Sequence, residues 1–481
     1  MVDASAHQRT ESGQKMKRNS VEVSQERYSV LSGNPATPTI HKKSYFFQLQ
    51  ILALFLCFPM ALEGQMIVDC SGANPNAFTT ISAALTQVTG PGAAILVSGT
   101  CNENVAVNNA LNLSLGAYWG QTANLVGGLS INGSQGIYLY GLNVSNPAGT
   151  GISISSSRSV TLDSSSSNGN GFLGLNELNL SEVIVLGPAS FDLNGGGGIQ
   201  LESHSTLLLS DFAGATQISN NLGPGIWISQ GSLVSSLGAT TLANNVNSSN
   251  SLLGASQQPG WGLVLLGASI AQFGTCFGSN LFANNQGGGI SLQENSELSL
   301  WSCGAPNQNV VQGNGGVGIS AGFGSQVTLY DRVQVTGHAG PGVDVFGGSQ
   351  LFSSGQNLFS QNGTPGDLRS AAIRLDGNSE AFLRGGQITA NQGPGIMALM
   401  NSSADFTGLT FSGNSGGIIT CDSSAYMVSD LPPAASRSVD CHTPHNLGSR
   451  HMSSPSAAIP DSTLIKSRQD QYRKMASPKA H

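Results

Sequence analysis

The stretch Gly289-Ile290-Ser291-Leu292-Gln293-Glu294-Asn295-Ser296-Glu297-Leu298-Ser299-Leu300 shows the pattern that decides the fold. A glycine precedes two alternating apolar residues, a serine follows about seven positions after the glycine, and two more alternating apolar residues come next. Alternation with a period of two predicts short strands with one buried face. The pattern recurs eleven times between residues 151 and 430, with copies beginning at Gly151, Gly174, Gly198, Gly225, Gly262, Gly289, Gly318, Gly342, Ala372, Gly395 and Gly417.

Each copy also carries a third short alternation, such as Gln387-Ile388-Thr389, so one copy predicts one turn of a coil. A single turn cannot bury its inner face, and the turns must therefore stack. We predict an all-β, single-stranded parallel β-helix of about 11–13 coils. Its corners are rich in asparagine, which tolerates the left-handed backbone of a tight turn. Stacked asparagines are expected to bond along the axis, in a ladder that breaks at His338, where the asparagine is replaced.

Charged residues are sparse and unevenly distributed. Residues 65–430 contain 18 acidic residues, five arginines and no lysine. This balance argues against a nucleic-acid partner, because phosphate binding needs clustered basic side chains. Residues 431–481 are mildly basic and rich in Ser, Pro and His, a composition that predicts a disordered tail.

The amino-terminal part predicts export. A polar extension, residues 1–44, precedes an apolar segment, residues 45–64, whose densest part is shorter than the roughly 20 residues that a membrane span needs. We predict that this segment is a signal peptide; an uncleaved anchor, which would be the contact with a membrane, is the alternative. The repeats then form one domain, residues 65–430, of a secreted, periplasmic or cell-surface protein.

Six cysteines follow the export segment, an even number that suits an exported protein. Cys276 and Cys303 each lie fourteen residues after the glycine of their repeat. Stacked strands about 4.7–4.9 Å apart would bring them within reach of a disulfide. The remaining pairs are Cys70 with Cys101 and Cys421 with Cys441. Buried free thiols are the alternative; we expect no metal site, because ligand spacing is missing, and no cofactor.

The opening of the repeat region permits an identification at the level of a superfamily. Phe78-Thr79-Thr80-Ile81-Ser82-Ala83-Ala84-Leu85, followed by Ala94-Ile95-Leu96-Val97, resembles the entry of right-handed parallel β-helices of the pectin-lyase-like superfamily. The resemblance covers about residues 66–430 and implies a right-handed coil with a short amphipathic cap helix at its amino end. Enzymes of this superfamily cleave or de-esterify acidic polysaccharides. Their Asn-Thr-Asp, Gly-His-Gly and Gln-Asp-Thr motifs are absent from this sequence.

Two small sets of outward residues are candidates for a site. Asp344 and Arg374 occupy equivalent positions of neighbouring repeats, with Asp376 on the strand of Arg374. A carboxylate there would act as a base and Arg374 would hold substrate charge; a surface ion pair is the alternative. Trp301 and Tyr330 share another position on adjacent repeats and would form a flat platform for a sugar ring, or would pack as an ordinary aromatic pair.

These observations lead to three hypotheses about function. We predict a secreted or surface β-helix without catalytic activity that contacts glycans or serves as an adhesion scaffold, with polysaccharide as its partner. The first alternative is a divergent polysaccharide lyase or glycoside hydrolase that acts on an acidic polysaccharide. The second is a structural spacer without a ligand. The sequence carries no indication of an oligomeric state.

Overall fold

The repeats form coils of three short strands, and the coils stack into a parallel β-helix. The structure, a computed structural model, describes residues 64–210, 214–246, 260–367 and 369–429. The predicted extension 1–44, the predicted tail 431–481 and the export segment up to residue 63 lie outside the described residues. The described chain is all-β apart from one five-residue helix.

The elements are given in chain order. The first group is β1 Gln65–Asp69, α1 Ile81–Leu85, β2 Ala94–Asn102, β3 Val105–Asn108, β4 Ser114–Ala117, β5 Ala123–Val126, β6 Leu129–Asn132, β7 Tyr138–Tyr140, β8 Leu142–Ser145, β9 Ile152–Ser155, β10 Val160–Asp163, β11 Ser166–Ser167, β12 Leu173–Leu178, β13 Glu182–Leu186, β14 Ala189–Ser190, β15 Gly197–Leu201, β16 Thr206–Ser210, β17 Thr216–Ser219, β18 Ile226–Ile228, β19 Leu233–Ser236 and β20 Thr240–Ala243. The second group is β21 Trp261–Leu265, β22 Ile270–Gly274, β23 Asn280–Ala283, β24 Gly288–Leu292, β25 Glu297–Trp301, β26 Asn309–Gln312, β27 Val317–Gly322, β28 Gln326–Tyr330, β29 Val333–Thr336, β30 Val343–Phe346, β31 Gln350–Ser354, β32 Leu358–Ser360, β33 Ile373–Asp376, β34 Glu380–Arg384, β35 Gln387–Thr389, β36 Ile396–Ala398, β37 Ser403–Thr407, β38 Thr410–Ser412, β39 Ile419–Cys421 and β40 Tyr426–Ser429.

Every third strand belongs to the same face of the coil. In the described residues, β3 and each third strand through β39 form a 13-stranded sheet, which we call the first-strand sheet. The second strands run from β4 to β40 and the third strands from β5 to β38. Because β2 pairs with both β4 and β5, the second and third strands join with β1 and β2 in a 27-stranded sheet. The thirteen first strands agree with the predicted number of coils.

The pattern of the quoted repeat sets which side chains fill the coil. Ile290 and Leu292 on β24, and Leu298 and Leu300 on β25, are fully buried or nearly so. In-register pairing then places Ile290 on Ile319 of the next coil. The core is therefore a set of apolar columns along the axis, as the stacked repeats predict.

The helix α1 lies beside the first coil. Its N-terminus is capped by Thr80, whose Oγ1 accepts from the Ala83 amide, and by the Glu103 carboxylate, which accepts from the amides of Ile81 and Ser82 at 2.6 and 3.0 Å. That the helix closes the open end of the coil stays a prediction. No helix within the described ranges has the length and apolar character needed to cross a membrane.

Two of the predicted disulfides are present. Cys70 is bonded to Cys101 with Cα atoms 5.1 Å apart, and Cys276 is bonded to Cys303 with Cα atoms 4.9 Å apart. Cys421 at the end of β39 is also disulfide-bonded. Its predicted partner, Cys441, lies outside the described residues, so that pairing stays a prediction.

A ladder of buried polar side chains follows the corner after the third strands. In seven of its asparagines, Nδ2 donates to the Oδ1 of the asparagine one coil further on, at 2.7–3.0 Å. The backbone amides of the same seven residues donate to the same oxygens. The rungs are Asn170, Asn194, Asn221, Asn245, Asn285, Asn314, His338, Asn362, Asn391 and Asn414.

The expected break of this ladder at His338 is wrong in part. The imidazole Nδ1 accepts from the Asn314 amide at 3.2 Å, as an asparagine Oδ1 would. Nε2 lies 3.1 Å from the Val311 carbonyl, in the place of an asparagine Nδ2. The backbone amide of His338 still donates to Asn362 Oδ1 at 3.3 Å. The ladder therefore continues through the backbone, and the side-chain bond from His338 to Asn362 is what the histidine cannot supply.

Replacing His338 by asparagine is expected to remove an acid sensitivity. Burial lowers the pKa of His338 from 6.5 to about 4, although a bond to the Val311 carbonyl opposes the shift. Between these values the unfolded chain binds a proton that the folded chain does not, so stability is full above pH 6.5 and falls towards pH 4. The loss is about 3 kcal/mol over that window. The free energy of unfolding, measured with urea at several pH values in this range, should change less with pH in His338→Asn than in the wild type. An equal change with pH in both proteins would contradict the assignment.

A second ladder, made of serines, follows the corner between first and second strands. The Ser296 amide donates to Ser325 Oγ at 3.2 Å, and the Ser325 amide donates to Ser349 Oγ at 3.1 Å. Each hydroxyl in turn bonds a carbonyl three residues earlier, as Ser296 does with Gln293 at 2.7 Å. The serine of the repeat is thus a buried hydrogen-bonding group, which the sequence pattern marked without revealing its bonds.

Candidate functional site

A row of aromatic side chains crosses four consecutive coils on the outer face of the second strands. Its members come from β25, β28, β31 and β34, and each is partly exposed. In-register pairing puts Trp301 beside Tyr330 and Phe352 beside Phe382. The rings of Tyr330 and Phe352 are tilted relative to each other, with centroids 5.5 Å apart. We call this surface the aromatic row; it consists of Trp301, Tyr330, Phe352 and Phe382.

The predicted flat platform of Trp301 and Tyr330 is not formed. Their strand positions are register partners, as expected. The indole of Trp301, however, lies over Gly274 on the preceding coil, where an added Cβ would be 2.4 Å from its Cζ2 atom. Tyr330 packs with Phe352 instead, and its partial burial raises the pKa of its hydroxyl. The aromatic surface is therefore a row that extends along the axis.

Phe352 and Phe382 were missed in the sequence because they occupy a different outward position. They lie ten residues after the start of their repeats, whereas Trp301 and Tyr330 lie twelve after theirs. The two positions are neighbours on the same outer face of a strand. The row could have been predicted by considering the positions ten and twelve residues after the start of four successive repeats together, since both positions face outward.

A glycine beneath an aromatic ring recurs elsewhere on the outer surface. A Cβ at Gly116 would meet the Tyr140 ring, and one at Gly322 would meet the Phe346 ring. Both pairs are register partners on adjacent coils. A glycine leaves the strand surface bare, and a ring laid over it restores the packing. The glycine thus leaves room for the ring of the neighbouring strand.

Polar side chains border the aromatic row on one side. In-register pairing aligns Glu297, Gln326, Gln350 and Glu380 along the axis. The Gln350 amide donates to a carboxylate oxygen of Glu380 at 3.3 Å. Amides both donate and accept, and carboxylates accept. This column, which we call the amide–acid border, offers hydrogen bonds next to the rings.

An ion pair closes the carboxyl-terminal end of the row. Arg384 Nη1 and Nη2 donate to the two Asp405 oxygens at 3.0 and 2.6 Å. Nη1 also donates to the carbonyls of Leu383 and Asp405. The guanidinium is therefore engaged by its own chain, and its charge is matched by the carboxylate.

The structure brings Asp344, Arg374 and Asp376 together on the outer face of the first-strand sheet. Arg374 Nη2 lies 2.8 Å from Asp376 Oδ2, and Nη1 lies 3.8 Å from Asp344 Oδ2. All three side chains are largely buried. Burial raises the pKa of Asp344; the positive charge of Arg374 opposes this shift and the negative charge of Asp376 adds to it. A carboxyl with a raised pKa is suited to proton transfer.

One group of potential metal ligands lies close together in the described ranges, namely Cys70, Cys101 and Glu103. The two cysteines are bonded to each other, and the carboxylate accepts from the amides that begin α1. These atoms are engaged in the structure of the first coil, and the set does not fit a metal site.

Comparison with solved structures finds proteins of low identity. Pectate lyase Pel9A is 15% identical, over 56% of this chain and 76% of that one, with a TM-score of 0.41. Tailspike protein 2 of Escherichia coli O157:H7 bacteriophage CAB120 is 12% identical, over 73% of this chain and 46% of that one, with a TM-score of 0.36. The Agl-KA catalytic domain is 13% identical, over 72% and 64% of the two chains, with a TM-score of 0.38. This chain thus spans less than two thirds of the last two.

The family comparison covers more than half of the chain. No curated protein matches the sequence. The family described as the right-handed β-helix region matches residues 127–349 and 307–430, which include the aromatic row and the Asp344 cluster. The chain belongs to this right-handed β-helix family.

Proposed function

We propose that this protein is a non-catalytic extracellular β-helix that binds glycan chains through the aromatic row. The observation that carries the proposal is the row itself, four partly exposed rings on four consecutive coils. Apolar surface that is rimmed by polar side chains is the kind of surface that marks interaction sites. A ring offers an apolar face to the C–H face of a sugar, and the amide–acid border offers bonds to its hydroxyl groups.

An extracellular location fits the same proposal. The two described disulfides form and persist in oxidising compartments. The export segment predicted at residues 45–64 would deliver the chain there. We propose on this basis that the protein acts outside the cell or on its surface, where polysaccharides are encountered.

Truncating the row is expected to weaken glycan binding. The variant that combines Trp301→Ala with Phe382→Ala should lose about tenfold or more in affinity, because buried aromatic anchors carry much of the energy of an interface. Trp119→Ala is the matched control, since Trp119 is 84% exposed and lies in the loop between β4 and β5, outside the row. Binding is measured by calorimetry on a glycan found by array screening. Equal affinity in both variants would remove the row from the proposal.

The second candidate function is polysaccharide cleavage at the Asp344 cluster. The raised pKa of Asp344 and its partial access to solvent favour a role as base or acid. The charge of Arg374, however, already lies between two carboxylates. A guanidinium so neutralised is poorly placed to hold the carboxylate of an acidic substrate, and for this reason we favour binding without catalysis.

An activity assay separates the two candidates. Wild-type protein is expected to leave polygalacturonate and other glycans intact over long incubation, as judged by chain length and by the absorbance of unsaturated products. Cleavage that disappears in Asp344→Asn would establish the second candidate instead. Asp331→Asn serves as the control, because Asp331 forms an ion pair with Arg332 at another corner of the coil.

A further inference from the structure

We infer that the aromatic row takes an uncharged polysaccharide that lies along the solenoid axis, and that it excludes polyuronates. The inference rests on the proposed function and names its ligand class. It follows from the direction of the row, from the charges beside it and from the groups available for hydrogen bonding.

The direction of the ligand follows from the spacing of the rings. Each coil adds one strand spacing of about 4.8 Å to the length of the helix. The row contributes one ring from each of four coils. A glycan that runs along the axis therefore meets a new ring about every sugar. A glycan that crosses the coils would lie along one strand and would meet only the ring of that strand.

The charge of the ligand follows from the neighbours of the row. Arg384 is the cation at its end, and both Nη atoms are bonded to Asp405. Glu297 and Glu380 stand in the amide–acid border. The sequence from 65 to 430 has no lysine. Within the described residues neither glutamate forms an ion pair, so the carboxylates of a polyuronate would approach groups of like charge and be repelled.

The hydrogen-bonding groups suit hydroxyls. Gln326 and Gln350 can each donate to and accept from a sugar hydroxyl, and Glu380 can accept. Ser354 is the register partner of Tyr330 and adds a hydroxyl group to the same outer face. Neutral groups that both donate and accept match a chain of hydroxyls without requiring a charged partner. An uncharged glycan of pyranose units satisfies these groups and the rings together.

The test compares three polymers on the full-length wild-type protein: a linear uncharged glucan, polygalacturonate, and a cationic amino-sugar polymer. We expect binding of the uncharged glucan with an affinity that is the same at low and high salt. We expect no binding of polygalacturonate. Preference for either charged polymer, or an affinity for the glucan that falls as salt is added, would overturn the inference. The salt series uses the wild-type chain and does not depend on the folding of any variant.

The row variants make the two failures distinguishable. If a charged polymer binds and its binding is lost with Trp301→Ala and Phe382→Ala but kept with Trp119→Ala, the proposed function holds and the inference fails. If no polymer binds, or if binding survives removal of both rings, the proposed function fails with it. Circular dichroism and the unfolding midpoint of each variant establish that the coil is intact before binding is compared.

Discussion

Replacing Glu177 by leucine is expected to raise the free energy of unfolding by about 2–4 kcal/mol at neutral pH. Glu177 lies on β12 and is fully buried. It faces into the coil, where its register partners are Ile154 and Leu201. Within the described residues neither carboxylate oxygen has a hydrogen-bond partner. Leucine has a similar volume and would continue the apolar column without burying a polar group.

The dependence of this effect on pH identifies its cause. Burial raises the pKa of Glu177 well above its ordinary value of 4.5. Both folded and unfolded chains bind the proton at low pH. As the pH rises above 4.5 the unfolded chain releases it and the folded chain keeps it, so wild-type stability falls until the folded pKa is reached. The advantage of Glu177→Leu should therefore grow with pH.

Urea unfolding of the wild type, Glu177→Leu and Glu177→Gln over a range of pH checks this account. Glutamine keeps the shape and the polar amide but cannot ionise, so Glu177→Gln should lose the pH dependence and gain less stability than Glu177→Leu. A leucine variant that is less stable than the wild type at every pH would show that the carboxyl group has a partner and is not an isolated acid in the core.

The second large effect is expected for Asn285→Ala, which should lower the free energy of unfolding by about 3–5 kcal/mol. Asn285 Oδ1 accepts from the amide and the Nδ2 of Asn245 at 3.1 and 2.9 Å. Its Nδ2 donates to Asn314 Oδ1 at 3.0 Å and to the Leu242 carbonyl at 3.1 Å. Alanine leaves the buried Asn245 amide without this acceptor, which costs about 1–3 kcal/mol. It also removes one bond each from Asn245 Nδ2, Asn314 Oδ1 and the Leu242 carbonyl, at about 1 kcal/mol per bond. Asn245 Nδ2 keeps its bond to the Ile218 carbonyl, and Asn314 Oδ1 keeps its bond from the backbone amide of residue 285.

Asn284→Gly is the matched control for this substitution. Asn284 is the preceding residue, is exposed, and has a φ of 54°, which glycine adopts readily. Its replacement should change stability by less than about 1 kcal/mol. Both variants are compared by urea unfolding at neutral pH. Equal effects at 284 and 285 would show that the corner depends on backbone shape and not on the ladder.

The repeat made the fold predictable because its period of two separates inward from outward residues and its phase aligns the residues of adjacent coils. The phase that aligns Gly262 with Gly289 also placed Cys276 over Cys303, and the phase from Gly342 to Ala372 placed Asp344 beside Arg374. Strand register has a period of two, so a single slip would have exchanged inside and outside at every position. Pairings between coils could be read from spacing for this reason.

What the sequence did not yield depends on side-chain shape. Glu177 fills an inward position of the repeat that begins at Gly174, and the pattern could not show that the coil accepts an acid there. His338 preserves most of the ladder because its two ring nitrogens point where an amide oxygen and nitrogen would. Trp301 leans onto Gly274 because that residue leaves room for a ring. The spacing of the repeat predicts the coil and the face on which a side chain lies, but not the neighbouring residues that the side chain contacts.

The most direct test of glycan binding by the aromatic row is the affinity of the full chain for uncharged oligosaccharides of increasing length. The row spans four coils from Trp301 to Phe382. Affinity should rise with each added sugar until the oligosaccharide covers those coils, and it should then level off. When Phe382 is replaced by alanine, the affinity should level off at a shorter oligosaccharide. An affinity that is the same from the shortest oligosaccharide onwards, or no binding at any length, would contradict a glycan site along the axis.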